Sequence, residues 1–127
     1  MRWLLHGPMT AAVGDALRRH EHKASTMADV GLSTEASPAE VLRFAHKAQL
    51  DVLTTDASLA EAPFLMAEGG EASAYGRIIV YLGLEGGDVE QDDAVDRLFD
   101  RYKRLSPGRL YTVTGSRVKV RQLPGRR

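Results

Sequence analysis

Val52-Leu53-Thr54-Thr55-Asp56-Ala57-Ser58-Leu59 decides the reading of this chain. Its first four residues are apolar or β-branched and suit a short buried strand, and Thr-x-Asp then leads into a new helical turn. A carboxylate at the C-terminal end of a parallel strand stands where open α/β sheets place their ligands. The matching position on the first strand, Arg2-Trp3-Leu4-Leu5-His6, is a histidine where such folds often carry an acid.

Strand and helix signals alternate on both sides of this stretch. Gly7-Pro8 closes the first strand, and residues 9–20 predict a helix with Met9, Ala12, Val13, Ala16 and Leu17 on one face. His22 to Ser25 predicts a short second strand, followed by a loop through Asp29 and Gly31. Ser37-Pro38-Ala39-Glu40 marks a helix start: serine at the N-cap, proline at the first helical position and a glutamate placed to complete a capping box. Val41, Leu42, Ala45 and Ala48 supply that helix's buried stripe, and residues 52–55 form the next strand. Pro63, Gly69-Gly70 and many small residues make 60–76 a surface loop with one helical turn at most. Arg77 to Leu82 is the most apolar run and predicts a central strand. Beyond Gly86-Gly87, Val89 to Lys103 predicts an amphipathic helix with its acids toward the N-terminal half, in the sense that complements the helix dipole. Ser106-Pro107-Gly108 stops it, and strands over Arg109–Thr114 and Arg117–Leu123 meet in a hairpin at Gly115-Ser116. The expectation is a single domain over residues 1–127: an α/β three-layer α/β/α sandwich with a mostly parallel central sheet and a C-terminal hairpin.

Composition narrows the function classes. The chain of 127 residues has no cysteine, so disulfide frameworks and thiolate metal sites are excluded. Its apolar runs are too short to span a bilayer and no signal peptide is visible, so a cytoplasmic protein with no membrane partner is expected. Gly7-Pro8 is followed by no further glycine in the turn, which argues against a phosphate-cradling nucleotide fold. The net charge of zero is unevenly spread: residues 1–100 carry 8 Lys and Arg against 17 Asp and Glu, and residues 101–127 carry 9 cations and no acid. Arg117, Lys119 and Arg121 recur with the period of a strand and so share one face. That face has two readings: a surface that tracks a phosphate backbone, or an edge strand charged against edge-to-edge pairing and facing the acidic half of another copy.

The ordered set of strand, helix, Asp29-Val30-Gly31-Leu32, the helix opening Ser37-Pro38-Ala39-Glu40-Val41-Leu42, Val52 to Leu59, Arg77 to Leu82 and the closing Val113 to Pro124 resembles the small bacterial PIN-like proteins along nearly the whole chain. These form a family of unknown function within the PIN-like group, related to toxin–antitoxin ribonucleases. The resemblance implies a Mg- or Mn-dependent endoribonuclease that holds its metal with clustered carboxylates. It assigns catalytic positions to His6, Glu40, Asp56 and Ser58, and metal ligation to Glu40 and Asp56. It also implies RNA, an antitoxin-like protein or a second copy of the chain as partners. In the family the first strand ends in an acidic pair, where this chain has His6 and Gly7, and the second acid after the later strand is here Ser58. Two carboxylates therefore stand in place of three or four, and the reading is a degenerate ribonuclease site, with a non-catalytic binding module as the alternative.

Local chemistry offers a structural role for each candidate as well. Glu40 completes a capping box, Asp56 caps the turn that follows it, and Asp29 is a turn residue. His20-Glu21-His22 has the look of a metal pair but lies at a helix end, where histidine meets the dipole. The site reading requires His6, Glu40 and Asp56 to converge at one end of the sheet.

Overall fold

The computed structural model describes residues 1–9, 11–70, 77–83, 88–115 and 117–124. Their elements in chain order are β1 (Arg2–His6), α1 (Ala11–Arg19), β2 (Lys23–Thr26), α2 (Pro38–Ala48), β3 (Asp51–Thr54), α3 (Ala57–Glu68), β4 (Ile78–Leu82), α4 (Asp88–Arg101), β5 (Arg109–Val113) and β6 (Val118–Gln122). They build one sheet in the order β2-β1-β3-β4-β5-β6. The first five strands are mutually parallel, with Leu4 opposite Val52 and Val52 opposite Ile79, and β6 returns antiparallel to β5. The α/β class, the adjacent parallel β1, β3 and β4, and the antiparallel terminal pair all match the sequence reading. The tip of that pair at Ser116, the glycines at 86–87 and residues 71–76 lie outside the described residues.

Because strand side chains alternate, β1, β3, β4 and β5 each feed two cores. Trp3, Leu53, Val80 and Tyr111 pack against Val13 and Leu17 of α1 and Val95 and Leu98 of α4. Leu4, Val52, Ile79 and Leu110 pack against Val41 and Leu42 of α2 and Leu59 and Met66 of α3. These placements fix the relative hands of the crossovers. The step from β1 to β2 runs opposite in direction to that from β4 to β5, yet α1 and α4 share a face. Those two connections therefore have opposite hands, whereas the connections through α1, α2 and α3 agree. Since strand–helix–strand crossovers are almost always right-handed, β4–α4–β5 is the left-handed exception.

The expected loop over 60–76 is corrected by α3. Asp56 caps this helix, accepting the Ser58 N–H at 2.8 Å. Leu59, Ala60, Ala62, Pro63 and Met66 are buried along one face, while Ser58, Glu61, Leu65 and Glu68 are exposed on the other, so the helix is held by the packing of that one face. Burial outweighs the proline, whose missing N–H and ring clash otherwise oppose a helix interior. The start of α2 is as expected. Ser37 Oγ accepts the Glu40 N–H at 3.2 Å, and Glu40 Oε1 accepts the Ser37 N–H at 3.4 Å. Among the described residues no helix is long and apolar enough to cross a membrane.

Two local features position the strand ends. Gly7, at φ +90°, turns the chain out of β1 so close to β3 that a Cβ there would stand 2.5 Å from Thr55 Oγ1. Thr55 donates that hydroxyl to the Pro8 carbonyl at 2.9 Å, which ties the turn to the start of α3. At the other end of β1, the Trp3 indole N–H donates to His22 Nδ1 at 3.1 Å, and the His22 ring lies 4.6 Å from that of Phe99. His20 instead bonds Asp96 at 2.8 Å, so the two histidines of the apparent metal pair serve different partners.

Two outcomes are expected. Gly7→Ala combines backbone strain with a steric conflict at Thr55 and should lower unfolding free energy by about 1–3 kcal/mol, measured by urea denaturation. His22 accepts the indole N–H only when neutral, and burial, then the N-terminal amine and His20, lower its pKa below 6.5. The native state thus binds fewer protons than the unfolded chain. This contribution is complete above the unfolded value and is lost as pH falls below it toward the folded value. Glutamine keeps an acceptor without titrating, so denaturation at pH 8 and pH 5 should show a smaller acid loss in His22→Gln than in the wild type.

Candidate functional site: the crevice between the ends of β1 and β3

The strand order reverses between β1 and β3, since the chain leaves β1 for β2 on one side and resumes at β3 on the other. Doubly wound sheets open a crevice at the C-terminal ends of such a pair. A cavity of about 760 Å³, within the size range of small-molecule sites, opens at the end of β1 between α1 and the turn after β2, with Asp56 on its β3 side. His6 and Asp56 both line it, together with Met9, Asp15, Arg18 and Met27 among others.

Thr54 joins the two strand ends. Its Oγ1 lies 2.8 Å from His6 Nδ1 and accepts the Asp56 N–H at 2.9 Å. Thr54 is fully buried, so its hydroxyl proton must be donated, and Nδ1 is the acceptor it meets. His6 is then the neutral tautomer protonated on Nε2, and the edge it offers the crevice is a donor. Burial lowers the His6 pKa, and the opposing pull of the Asp56 carboxylate is the smaller effect. His6 is only 9% exposed, and no described residue partners its Nε2. Asp56 spends Oδ1 on the Ser58 N–H, while Oδ2 has no hydrogen bond to a described residue.

The two remaining expected site residues lie elsewhere. Glu40 is exposed and folded back onto Ser37, whose N–H and hydroxyl both point to Oε1, and it does not line the crevice. Ser58 is exposed on the first turn of α3 and contributes its backbone N–H to the cap. Asp15 and Arg18, ion-paired at 3.1 Å on α1, do line the crevice. Their i,i+3 spacing is ordinary for a solvated helix face, so nothing in the sequence marked them. The wall at Thr26, Met27 and Ala28 is held by a reciprocal pair: Asp29 Oδ2 accepts the Thr26 N–H at 2.9 Å, and Thr26 Oγ1 accepts the Asp29 N–H at 3.1 Å. Those bonds hold the Asp29 carboxyl below the usual carboxylate range and give it the turn role expected of it.

The donors of this crevice do not suit magnesium or manganese. These cations need several hard oxygen ligands and negative charge to displace water. Here one imidazole is neutral, one carboxylate is half committed to a helix cap, and the other is paired with arginine. Among the described residues, no three His, Asp or Glu side chains are grouped to hold one ion.

The cationic strand is divided by the fold. Lys119 and Arg121 stand opposite Thr112 and Leu110, on the α3 side of the sheet. The Arg121 guanidinium lies 3.8 Å from the Phe64 ring centroid and 3.6 Å from Glu61. Arg117 precedes β6 and lines a separate cleft of about 550 Å³ with Asp93, Asp96 and Asp100 of α4. At the opposite end of the sheet, buried Asp51 accepts the Ile78 N–H at 3.0 Å and pairs with Arg77 at 3.3 Å. Burial raises its pKa despite these partners.

No family model, no curated protein and no solved structure matches this chain in comparisons with known proteins.

Proposed function

We propose that this chain is a PIN-like domain of the metal-dependent ribonuclease, toxin–antitoxin type whose catalytic site has degenerated, and that it acts by binding RNA. The observation that carries this reading is His6: an imidazole whose pKa is lowered by burial, with Nδ1 2.8 Å from Thr54 Oγ1, at the strand end where the family's first acid stands. An imidazole supplies none of the negative charge that a magnesium site requires. Glu40 is engaged in its capping box, so the acids expected to share a metal do not act together. Lys119 on the edge strand offers a cation to a phosphate backbone, and Arg121 beside it, stacked on Phe64 and paired with exposed Glu61, adds a second at the cost of that pair.

The test pairs the wild type with His6→Asp on single-stranded RNA with magnesium or manganese. The wild type should leave the RNA intact, and its RNA retention should weaken as salt rises. Lys119→Ala should make that salt dependence shallower by about one counterion. Gain of metal-dependent cutting in His6→Asp would support the degenerate reading. Robust cutting by the wild type, abolished in Asp56→Ala, would overturn it.

A further inference from the structure

The crevice holds polar groups that a backbone-tracking surface does not use. His6 is nine-tenths buried and lines the crevice, and no described residue accepts a hydrogen bond from its Nε2. Asp56, fixed beside it through the shared Thr54 hydroxyl, offers Oδ2, which bonds no described residue, and the second lone pair of Oδ1, whose first accepts the Ser58 N–H. A donor and a carboxylate acceptor thus line one crevice, which a ligand edge of complementary polarity can meet.

Charge defines what that partner can be. Asp15 and Arg18 neutralise one another, His6 is neutral, and Asp56 leaves the crevice with one net negative charge. A phosphate or carboxylate is disfavoured there, and a group bearing N–H donors is favoured. The remaining walls are apolar and include Leu5, Pro8, Met9 and Met27. Methionine thioethers are polarisable and make favourable contacts with aromatic rings, so these walls suit a flat heterocycle.

We infer that the crevice binds a guanine base, with His6 Nε2–H donating to the O6 carbonyl and the Asp56 carboxylate accepting from N1–H and the 2-amino group. Guanine sets a carbonyl beside two N–H donors along one edge, which is the order that a donor followed by a carboxylate reads. Adenine presents a single amino group beside a ring acceptor, and cytosine and uracil place only one donor group on the equivalent edge. Base edges of this kind are what proteins read in unpaired nucleic acid. The base would come from a free nucleoside or from an unpaired guanosine in single-stranded RNA. The inference rests on the reading of the site as a binding crevice without a metal. It adds base recognition, which the cations of β6 cannot supply.

The experiment is isothermal titration of the full chain, without metal, using guanosine, inosine and adenosine, and then single-stranded oligonucleotides with and without one guanosine. Guanosine should bind. Inosine, which lacks the 2-amino group, should bind about tenfold or more weakly, as expected for one lost hydrogen bond to a charged group. Adenosine should bind still more weakly. Asp56→Asn keeps a good N-cap and the fold but replaces the free acceptor with a donor, so it should reduce guanosine affinity by about tenfold or more. Thermal unfolding of that variant checks that the fold is retained, and His6→Phe, which removes the Nε2–H donor, gives an independent second variant. An oligonucleotide that binds through its guanosine when the nucleoside does not would identify RNA as the source. Comparable binding of the nucleoside and the oligonucleotide would identify the free nucleoside.

Equal affinity for guanosine and adenosine, or guanosine affinity unchanged in Asp56→Asn, would overturn the inference. So would failure of both guanosine and the guanosine-containing oligonucleotide to bind the crevice. Salt-dependent RNA retention with no preference for guanosine would overturn base recognition while leaving the proposed binding function in place. Metal-dependent cutting by the wild type together with guanosine selectivity would do the reverse.

Discussion

The hydroxyl of Thr54 is the interaction on which the rest of the site depends. One oxygen, fully buried at the end of β3, meets the His6 ring and the Asp56 N–H at 2.8 and 2.9 Å. It couples three decisions that would otherwise be independent: the tautomer of the histidine, the direction in which β3 becomes α3, and the separation of the strand ends on either side of the switch point. Gly7 makes this approach feasible, since its missing Cβ leaves room for Thr55, which in turn bonds the Pro8 carbonyl. The crevice is therefore set by short-range sterics and one hydroxyl, with the sheet's reversal of order supplying the space.

Much of the fold was legible in the sequence because its signals were local. Ser37 and Glu40 show a capping box that needs only four consecutive residues, and the apolar runs of β3 and β4 are bounded by clear breakers. The site was half legible. His6 and Asp56 fall at strand ends and so could be placed together, whereas Glu40 could be assigned to a metal only by analogy, and its side chain instead closes its own helix. Asp15, Arg18 and the methionine walls were invisible, since they reach the crevice from α1 and the turns around it and carry no mark in their spacing. Helix α3 was missed for a different physical reason. Most of its residues are good helix formers, but Pro63 stands in the interior and the exposed stripe of Ser58, Glu61 and Glu68 is interrupted by Leu65, so the segment reads as broken, and burial of its other face holds the helix.

The uneven charge of the chain also acquires a structural meaning. The left-handed connection places α4 on the face already occupied by α1, so the outer strands β5 and β6 have less helix over their other face. Lys119 and Arg121 stand on that less-covered face, and Arg121 makes up for some missing cover by lying over Phe64 and reaching Glu61. Arg117, one residue outside the strand, lines a cleft with Asp93, Asp96, Arg97, Asp100 and Arg101 of α4 instead. The period-two pattern thus predicted a single cationic stripe, and the fold divides it between the sheet edge and a cleft beside α4. Edge protection and a phosphate-facing surface are compatible on the same strand, because both require cations that remain hydrated.

The chemistry open to the crevice follows from which lone pairs and protons are already used. A carboxylate that caps a helix retains one free oxygen, and a histidine held by a hydroxyl retains one N–H. Hard cations ask for many oxygens and tolerate few fixed angles away from them, so a half-committed carboxylate and a neutral ring form a poor cage. The same pair is well suited to an organic edge with one acceptor and neighbouring donors, for which two directed hydrogen bonds suffice. A histidine at this strand end makes shape rather than charge the basis of selection, and the walls of the crevice around Met9 and Met27 are apolar.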